Sequence, residues 1–235
     1  MAFAAANPLV PCAAAALYLS LLAAGPLLMR SRPALNLRGL LFAWNALLCL
    51  YSAIGFVFMA QHVASVLSAQ SLASTLRGPL VYSQGAPAFW LTLFMFSKLP
   101  ELLDTLFLVL RKKPLSFLHC YHHVSVMLYC WFAFSLQSHL GLYFTTMNYA
   151  VHAIMYCYYA LTSLGFSPPW GNAVTLLQIS QMFVGSGLCA YSWVVGEEAR
   201  GSLAAGALLY ASYLVLFVQF FVQKKDRASK GGKET

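Results

Sequence analysis

The sequence predicts an all-α protein that crosses a membrane seven times. Its 235 residues are 60% hydrophobic and only 9% charged, whereas soluble domains are nearer a quarter charged. Such a chain cannot cover itself with a hydrated surface, so we expect lipid to be its solvent. A helix needs about 20 apolar residues to span a bilayer, and the chain contains a succession of such runs.

The first run is rich in alanine and interrupted by prolines. Because no Lys or Arg precedes it, we interpret it as a retained span rather than a cleaved signal peptide. Residues 1–223 then form one seven-helix domain, and residues 224–235 form a basic tail. The predicted spans are Leu9–Met29, Gly39–Val66, Phe89–Leu110, Leu115–Leu136, Leu140–Leu164, Asn172–Val195 and Leu203–Val222.

The net charge of +8 is distributed unevenly between the two faces of the predicted membrane domain. Seven crossings place 11 of the 14 basic residues on one face, which the positive-inside rule assigns to the cytosol. The tail is then cytosolic and the N-terminus faces the other compartment. Because these charges lie in short loops beside spans, they do not indicate nucleic-acid binding. The cytosolic group is Arg30, Arg32, Arg38, Arg111, Lys112, Lys113, Lys224, Lys225, Arg227, Lys230 and Lys233.

Polar side chains recur at helical spacing inside the third and fourth predicted spans. Lys98, Glu101, Asp104 and Thr105 fall on one helical stripe. An ionised residue at mid-bilayer costs about 2.5–3.5 kcal/mol, so we expect Lys98 and Glu101 to pair. In the fourth span, three imidazoles at positions i, i+3 and i+4 share one face. They belong to His119, His122 and His123.

The fifth and sixth spans carry matching polar stripes. At a rise of 1.5 Å per residue, Asp104 lies about 10 Å and His122 about 13 Å from the basic loop 111–113. Polar groups of four helices at one depth predict a common cavity that opens toward the cytosol. We interpret the remaining histidines, His62 and His139, as packing or hydrogen-bonding residues. The two further stripes are Asn148, His152, Tyr156 and Tyr159, and Thr175, Gln178 and Gln181.

Four motifs occur along these spans in a fixed order. Residues 98–105 match KxxELxDT, 119–123 match HxxHH, 152–159 match HxxMYxYY and 175–181 match TxxQxxQ. With these motifs the chain resembles the ELO family of very-long-chain fatty-acid elongases from about Gly25 to Gln223. Asn148 and Tyr149 resemble members that act on saturated and monounsaturated chains. Pro114 stands where members acting on polyunsaturated chains tend to carry glutamine.

The resemblance implies an endoplasmic-reticulum enzyme whose seven helices surround an enclosed acyl-CoA tunnel. It would condense a long-chain acyl-CoA with malonyl-CoA to give 3-oxoacyl-CoA, CoA and carbon dioxide. No cofactor and no metal are expected beyond these two substrates. The expected partners are the lipid bilayer, the reductases and dehydratase of the elongation cycle, and a second copy of the chain in a homo-oligomer; nucleic acid is not among them.

The resemblance also implies roles for individual residues. His122 would be the nucleophile and form an acyl-imidazole, because neutral imidazole can accept an acyl group. His119 and His123 would orient it, shuttle protons or stabilise the oxyanion, and a carboxylate would fix an imidazole tautomer. Attack by the Cys120 thiolate is an alternative. The candidate catalytic residues are His122, His152, His119, His123, Asp104 and Glu101; the candidate substrate-binding residues are Lys98, Arg111, Lys112, Lys113, Asn148, Tyr156, Tyr159, Gln178 and Gln181.

Two other classes of protein share some of these features. Membrane di-iron desaturases and hydroxylases also carry HxxHH boxes. They need more histidine ligands, drawn from several boxes, than the six histidines and single box of this chain provide. A seven-helix transporter or receptor would use intramembrane polar residues as a permeation or signalling path, but this leaves the four ordered motifs unexplained.

Overall fold

The regular structure is helical throughout residues 2–231, the range that the computed structural model describes, with side chains described for residues 3–226. The all-α prediction is therefore confirmed for this range. A 3-10 turn at Pro100–Leu102 joins the fifth and sixth α-helices. The helices are α1 (Ala2–Ala6), α2 (Leu9–Leu28), α3 (Arg38–Ala69), α4 (Leu72–Thr75), α5 (Gly85–Ser97), α6 (Leu103–Leu110), α7 (Phe117–Ser135), α8 (Gly141–Ser163), α9 (Gly171–Val195) and α10 (Arg200–Gly231).

Each predicted span coincides with a helical segment, but the segments differ in apolarity. Four helices in the described range are long and apolar enough to cross a membrane: α2, α3, α9 and α10. Helices α7 and α8 are also long enough, at 19 and 23 residues. They carry the imidazole, amide and hydroxyl groups of the motifs, which lower their mean hydropathy. The chain is thus a multi-pass membrane protein, and the count of seven spans stays a prediction.

The outer surface of the long helices is strongly apolar. Leu9 is 78% exposed, Phe183 71%, Val194 79% and Leu208 72%. Such large apolar side chains, distributed over helices on different sides of the molecule, have no place on a hydrated surface. Their exposure supports the interpretation that lipid surrounds the helices.

The third predicted span is broken at Pro100. Proline has no backbone N–H and its ring clashes with the carbonyl of the preceding turn, and the chain forms the 3-10 turn here before α6 begins at Leu103. The straight polar stripe predicted for Lys98, Glu101, Asp104 and Thr105 is therefore interrupted. Outside this span, their hydrogen-bond partners lie on four helices, α2, α3, α7 and α8.

A ring of helices surrounds the interior. Helix α3 packs along α8, α8 against α9, α9 against α10, and α10 against α7. Helix α5 contacts α3, α7 and α8 and closes the ring, whereas α2 packs outside it against α6 and α7. The close approach of α10 to α9 and to α7 depends on glycine, because a Cβ at Gly185 on α9 would clash with the ring of Tyr210 and one at Gly206 on α10 with the hydroxyl of Tyr129 on α7.

The connections at one end of the ring are hydrogen-bonded to one another. We define this loop end as residues 70–84, 136–140 and 196–199. The amide of Glu197 donates to Leu76 O at 3.0 Å. Nε2 of His62 lies 2.6 Å from Val81 O, and Nε2 of His139 lies 2.9 Å from Gly78 O. The prediction that these two histidines are hydrogen-bonding residues is confirmed.

The last helix is longer than its predicted span. Helix α10 continues past Val222 to Gly231, so the first part of the predicted basic tail is helical. Residues 232–235, including Lys233, lie outside the described residues. The side chains of Lys224 and Lys225 are exposed, as expected for residues beyond the apolar part of the helix.

Candidate functional site

The three motif histidines lie together at the start of α7. The hydroxyl of Ser116 caps this helix by accepting a hydrogen bond from the His119 amide at 3.2 Å. The ring centroids of His119 and His123 are 4.3 Å apart, and those of His122 and His123 are 5.7 Å apart. The prediction that the i, i+3, i+4 spacing gathers the three imidazoles is confirmed.

A buried ion pair joins α5 to α8 beside the histidines. Nζ of Lys98 lies 2.8 Å from Oε1 and 2.9 Å from Oε2 of Glu101, and donates to Oδ1 of Asn148 at 3.2 Å. Lys98 is 2% exposed and Glu101 4%. The hydroxyl of Ser97 donates to the same carboxylate at 2.8 Å. The predicted pair is confirmed, and its hydrogen bonds offset part of the cost of burying two charges.

The carboxylate of Asp104 joins α3, α6 and α8. Trp44 donates its indole N–H to Oδ1 at 2.6 Å, and Tyr156 donates its hydroxyl to Oδ2 at 3.1 Å. The Tyr156 ring in turn packs edge-on against His152, with centroids 5.3 Å apart. Asp104 therefore supports His152 indirectly, through a tyrosine. Among the described residues, neither Asp104 nor Glu101 hydrogen-bonds an imidazole, which differs from the expectation that a carboxylate would fix the tautomer.

A threonine, and not the expected carboxylate, hydrogen-bonds one of the motif imidazoles. Oγ1 of Thr105 lies 2.8 Å from Nε2 of His119 and 2.9 Å from the hydroxyl of Tyr18. Thr105 is fully buried and Tyr18, on α2, is 3% exposed. The sequence did not indicate Tyr18 as a site residue, because it lies on α2, far from any motif.

The histidine of the fifth predicted span joins the cluster from α8. His152 is 8% exposed. It lies one helical turn from Asn148, the partner of Lys98, and its ring packs against Tyr156, the partner of Asp104. The structure therefore brings together polar groups of the third, fourth and fifth predicted spans. These groups point into the protein and not toward lipid.

An apolar cavity lies inside the ring. It follows α7 from His122 to Phe134, twelve residues further along, or about 18 Å of helix. His122, Asn148 and Gln181 line it at the histidine end, and these are the predicted site residues that reach its wall. Tyr82, Ser138 and Gly141 line it at the loop end. Most of the remaining wall is aliphatic or aromatic.

Helix α10 supplies two tyrosines to this wall that the sequence analysis did not identify. Tyr210 and Tyr213 both line the cavity. The Tyr213 ring centroid is 5.0 Å from that of His122, and its hydroxyl is 2.7 Å from Oγ of Ser125. Their spacing of three residues on one helical face was the only signal available, and it is common in packed helices.

The other predicted substrate-binding residues do not line the cavity. Gln178 contacts Met155 Sδ at 3.2 Å and so links α9 to α8. Tyr159 is exposed and packs against Tyr156, with ring centroids 6.5 Å apart. Lys112 donates to Arg30 O at 3.2 Å. The basic loop Arg111, Lys112 and Lys113 joins α6 to α7 at the histidine end, with both lysines exposed.

The described cysteines are all free, and Cys120 is half-buried on α7. Within the described range, no group of three or more His, Cys, Asp or Glu side chains is placed to hold a metal ion. The site is thus a cluster of imidazoles and hydroxyls at one end of an apolar cavity.

The fold and the site together define a polytopic membrane protein with a buried histidine cluster. The model of the GNS1/SUR4 family (ELO) matches residues 3–233, and the chain belongs to this family of fatty-acid elongases. The resemblance inferred from the four motifs is confirmed.

Curated relatives cover most of the chain. Fatty acid elongase 3 of Trypanosoma brucei brucei is 36% identical over 95% of this chain and 87% of that protein. Very long chain fatty acid elongase 6 of Drosophila melanogaster is 38% identical over 87% of this chain and 68% of that protein. The human protein of the same name is 36% identical, over 88% and 81% respectively. These relatives favour the elongase interpretation over a desaturase, a transporter or a receptor.

Proposed function

We propose that this protein is a 3-oxoacyl-CoA synthase, which condenses a long-chain acyl-CoA with malonyl-CoA to give 3-oxoacyl-CoA, CoA and carbon dioxide. The cavity that begins at His122 and runs along α7 to Phe134 carries this proposal. An acyl tail filling an apolar cavity of this kind would bring its thioester to the imidazoles. Family membership supports the same conclusion.

The first half-reaction uses His122 as the nucleophile. One of its ring nitrogens attacks the thioester carbonyl, so that a C–N bond forms and the C–S bond breaks. The proton lost from the imidazole passes through His152 to the departing CoA thiolate. Because the site is buried among apolar groups, water that would hydrolyse the acyl-imidazole is excluded.

The second half-reaction forms the carbon–carbon bond. Malonyl-CoA loses carbon dioxide, and the resulting enolate attacks the acyl carbonyl and displaces His122. Because the malonyl carboxylate leaves as carbon dioxide, the overall reaction consumes one proton. The ring nitrogen of His122 takes up that proton and the free imidazole is regenerated.

The Lys98–Glu101 pair orients a donor toward the reacting carbonyl. Nζ of Lys98 holds Oδ1 of Asn148 at 3.2 Å, which leaves the amide N–H groups of Asn148 directed to other partners. Asn148 lines the cavity together with His122. This supports a role for its amide in stabilising the oxyanion of the tetrahedral intermediate.

The basic loop between α6 and α7 supplies the charge for the CoA end of each substrate. Arg111, Lys112 and Lys113 directly precede the helix that carries the histidines. Arginine and lysine side chains bind phosphate groups through charge-assisted hydrogen bonds. In this arrangement CoA remains at the mouth and the acyl tail enters an enclosed tunnel.

The distribution of charge supports a topology of seven spans in the endoplasmic-reticulum membrane. The helical segments α2, α3, α5–α6, α7, α8, α9 and α10 supply these spans, with the N-terminus lumenal and the C-terminus cytosolic. The reaction requires no cofactor beyond the two thioesters. Its 3-oxo product requires the reductases and dehydratase of an elongation cycle as partners, and a homo-oligomer is compatible with the exposed apolar helices.

An assay on membranes that express this chain tests the proposal. Labelled malonyl-CoA is supplied with a panel of saturated, monounsaturated and polyunsaturated acyl-CoAs, and labelled 3-oxoacyl-CoA is measured. We expect product with saturated and monounsaturated substrates, and full activity from Cys120→Ser. Absence of condensation with every acyl-CoA would refute the proposal, and loss of activity in Cys120→Ser would favour the thiolate route.

A further inference from the structure

A buried chain of hydrogen bonds reaches the histidines from outside the ring of helices. The hydroxyl of Tyr18 on α2 lies 2.9 Å from Oγ1 of Thr105, and that oxygen lies 2.8 Å from Nε2 of His119. Tyr18 is 3% exposed and Thr105 is fully buried. Because bulk water does not reach these groups, the donors and acceptors must satisfy one another.

The chemistry of the three groups favours one direction for these hydrogen bonds. A phenol has a pKa near 10 and is a better donor than an aliphatic alcohol. If Tyr18 donates to Thr105, the single proton of the threonine hydroxyl is free to donate to His119. Nε2 of His119 is then an acceptor, and the ring proton of the neutral imidazole lies on Nδ1.

If the hydrogen bonds ran in the opposite direction, the Tyr18 hydroxyl would lack a good acceptor. Nε2–H of His119 would donate to Thr105, and Thr105 would donate to Tyr18. The phenolic proton of Tyr18 would then need another acceptor. Among the described residues, the only hydrogen-bond partner of this hydroxyl is Thr105, so the proton would have no acceptor.

Helix α2 is built to present Tyr18 to the site. The helix packs against α6, which carries Thr105, and against α7, which carries His119. Its neighbours Leu17 and Leu19 are 73% and 54% exposed, as expected for side chains facing lipid. Tyr18 is buried, whereas the other hydroxyl-bearing residue of the helix, Ser20, is exposed and donates to Ala16 O.

We propose that Tyr18 is a positioning residue which, through Thr105, holds His119 in the tautomer with its proton on Nδ1. This inference rests on the proposed condensation and narrows the role of His119 within it. With the Nε2 lone pair occupied, His119 acts as a hydrogen-bond donor and not as a general base. Helix α2, which lies outside the ring, thereby contributes to the chemistry.

Four variants test this series of hydrogen bonds: Tyr18→Phe, Thr105→Val, Thr105→Ser and the double variant Tyr18→Phe/Thr105→Val. Thr105→Val keeps the shape but removes the hydroxyl, and we expect it to lower kcat about tenfold with KM unchanged. Tyr18→Phe should lower kcat about fivefold. Thr105→Ser retains a hydroxyl and should retain most of the activity. Because the two groups act in series, the double variant should be no slower than Thr105→Val alone.

Tyr143→Phe is the matched control. Tyr143 is 7% exposed, and its hydroxyl lies 2.6 Å from Oγ1 of Thr75 at the loop end, so this variant also loses a buried tyrosine–threonine hydrogen bond. We expect it to match Tyr18→Phe in thermal stability but to keep wild-type kcat. If Tyr18→Phe keeps wild-type kcat, or if Thr105→Val is no slower than Thr105→Ser, the positioning role is refuted. If both wild type and Tyr143→Phe lack condensation activity, the proposed function itself fails.

Discussion

The two ends of the cavity both contain buried polar groups, but they use them differently. At the histidine end, polar side chains of different helices hydrogen-bond one another while His122 and Asn148 remain on the wall. At the loop end, the hydroxyl of Tyr82 donates to the carbonyl of Ser138, and the Ser138 hydroxyl donates to Glu198. The histidine end therefore keeps reactive groups accessible, whereas the loop end uses its polar groups to close the cavity.

The polar groups of the loop end hydrogen-bond mainly to one another. Glu198 also accepts from the Ser202 hydroxyl at 3.3 Å and from the Leu140 amide at 3.4 Å. Burial, with the Glu198 carboxylate second, raises the pKa of the Tyr82 hydroxyl above its usual value. Tyr82 therefore remains protonated and continues to donate to Ser138. We interpret this end as the floor against which the tip of an acyl chain rests.

The largest expected effect is the difference between substituting a histidine at the histidine end and substituting one at the loop end. His122→Ala removes the proposed nucleophile and should lower condensation by at least about a thousandfold while the protein still folds. His139→Gln is the control at the loop end, because glutamine can replace the hydrogen bond to Gly78 O. Condensation rates and thermal unfolding in detergent are measured for both variants. Substantial activity in His122→Ala would exclude the acyl-histidine route.

The second effect concerns the buried ion pair of the histidine end. Lys98→Met leaves Glu101 as an unpaired buried charge, which should destabilise the protein by about 3–5 kcal/mol. The double variant Lys98→Met/Glu101→Gln removes both charges and should recover much of that loss. The exposed Lys224 provides the comparison, since Lys224→Met should change stability by less than about 0.5 kcal/mol. Equal stability of Lys98→Met and wild type in thermal unfolding would show that the pair is unimportant.

A smaller effect is expected when the floor of the cavity is moved. Tyr82→Ala removes a ring from the loop end and should shift the preferred acyl-CoA toward longer chains. A methyl group at Gly141 would contact Leu91 and the Tyr82 hydroxyl, each at 3.6 Å, so Gly141→Ala should shift the preference toward shorter chains. One methylene changes binding in an apolar pocket by about 1–3 kcal/mol, and ratios of kcat/KM across the substrate panel measure the shift. Parallel shifts in the two variants would contradict a floor at this position.

The smallest expected effect distinguishes the role of the Tyr82 ring from that of its hydroxyl. Tyr82→Phe keeps the ring and loses the hydrogen bond to Ser138, so chain-length preference should stay as in the wild type. Stability should fall by about 1 kcal/mol. A change in preference as large as that of Tyr82→Ala would mean that the hydrogen bond, and not the ring, defines the floor.

Sequence patterns predicted the features that depend on residues close together in the chain. The shared face of His119, His122 and His123 and the Lys98–Glu101 pair both follow from separations of three or four residues. The apolar runs likewise predicted the positions of the long helices. Local periodicity is sufficient for such features because one helical turn determines them.

The rest of the site depends on contacts between distant segments. Tyr18 and Thr105 are 87 residues apart, and Trp44 and Asp104 are 60 apart. The 3-10 turn at Pro100 also interrupts the stripe that a straight helix would have presented. No spacing within one helix could indicate that Thr105 rather than a carboxylate would contact His119, because that outcome is decided by how α2, α6 and α7 pack.

The two glycines between helices affect the width of the cavity. Neither Gly185 nor Gly206 touches the interior, yet each provides the room in which a wall tyrosine, Tyr210 or Tyr129, lies back against its neighbouring helix. Any side chain at either position would force that aromatic ring forward. The cavity would then narrow from the side while its length stayed the same, so its width is controlled from behind the lining.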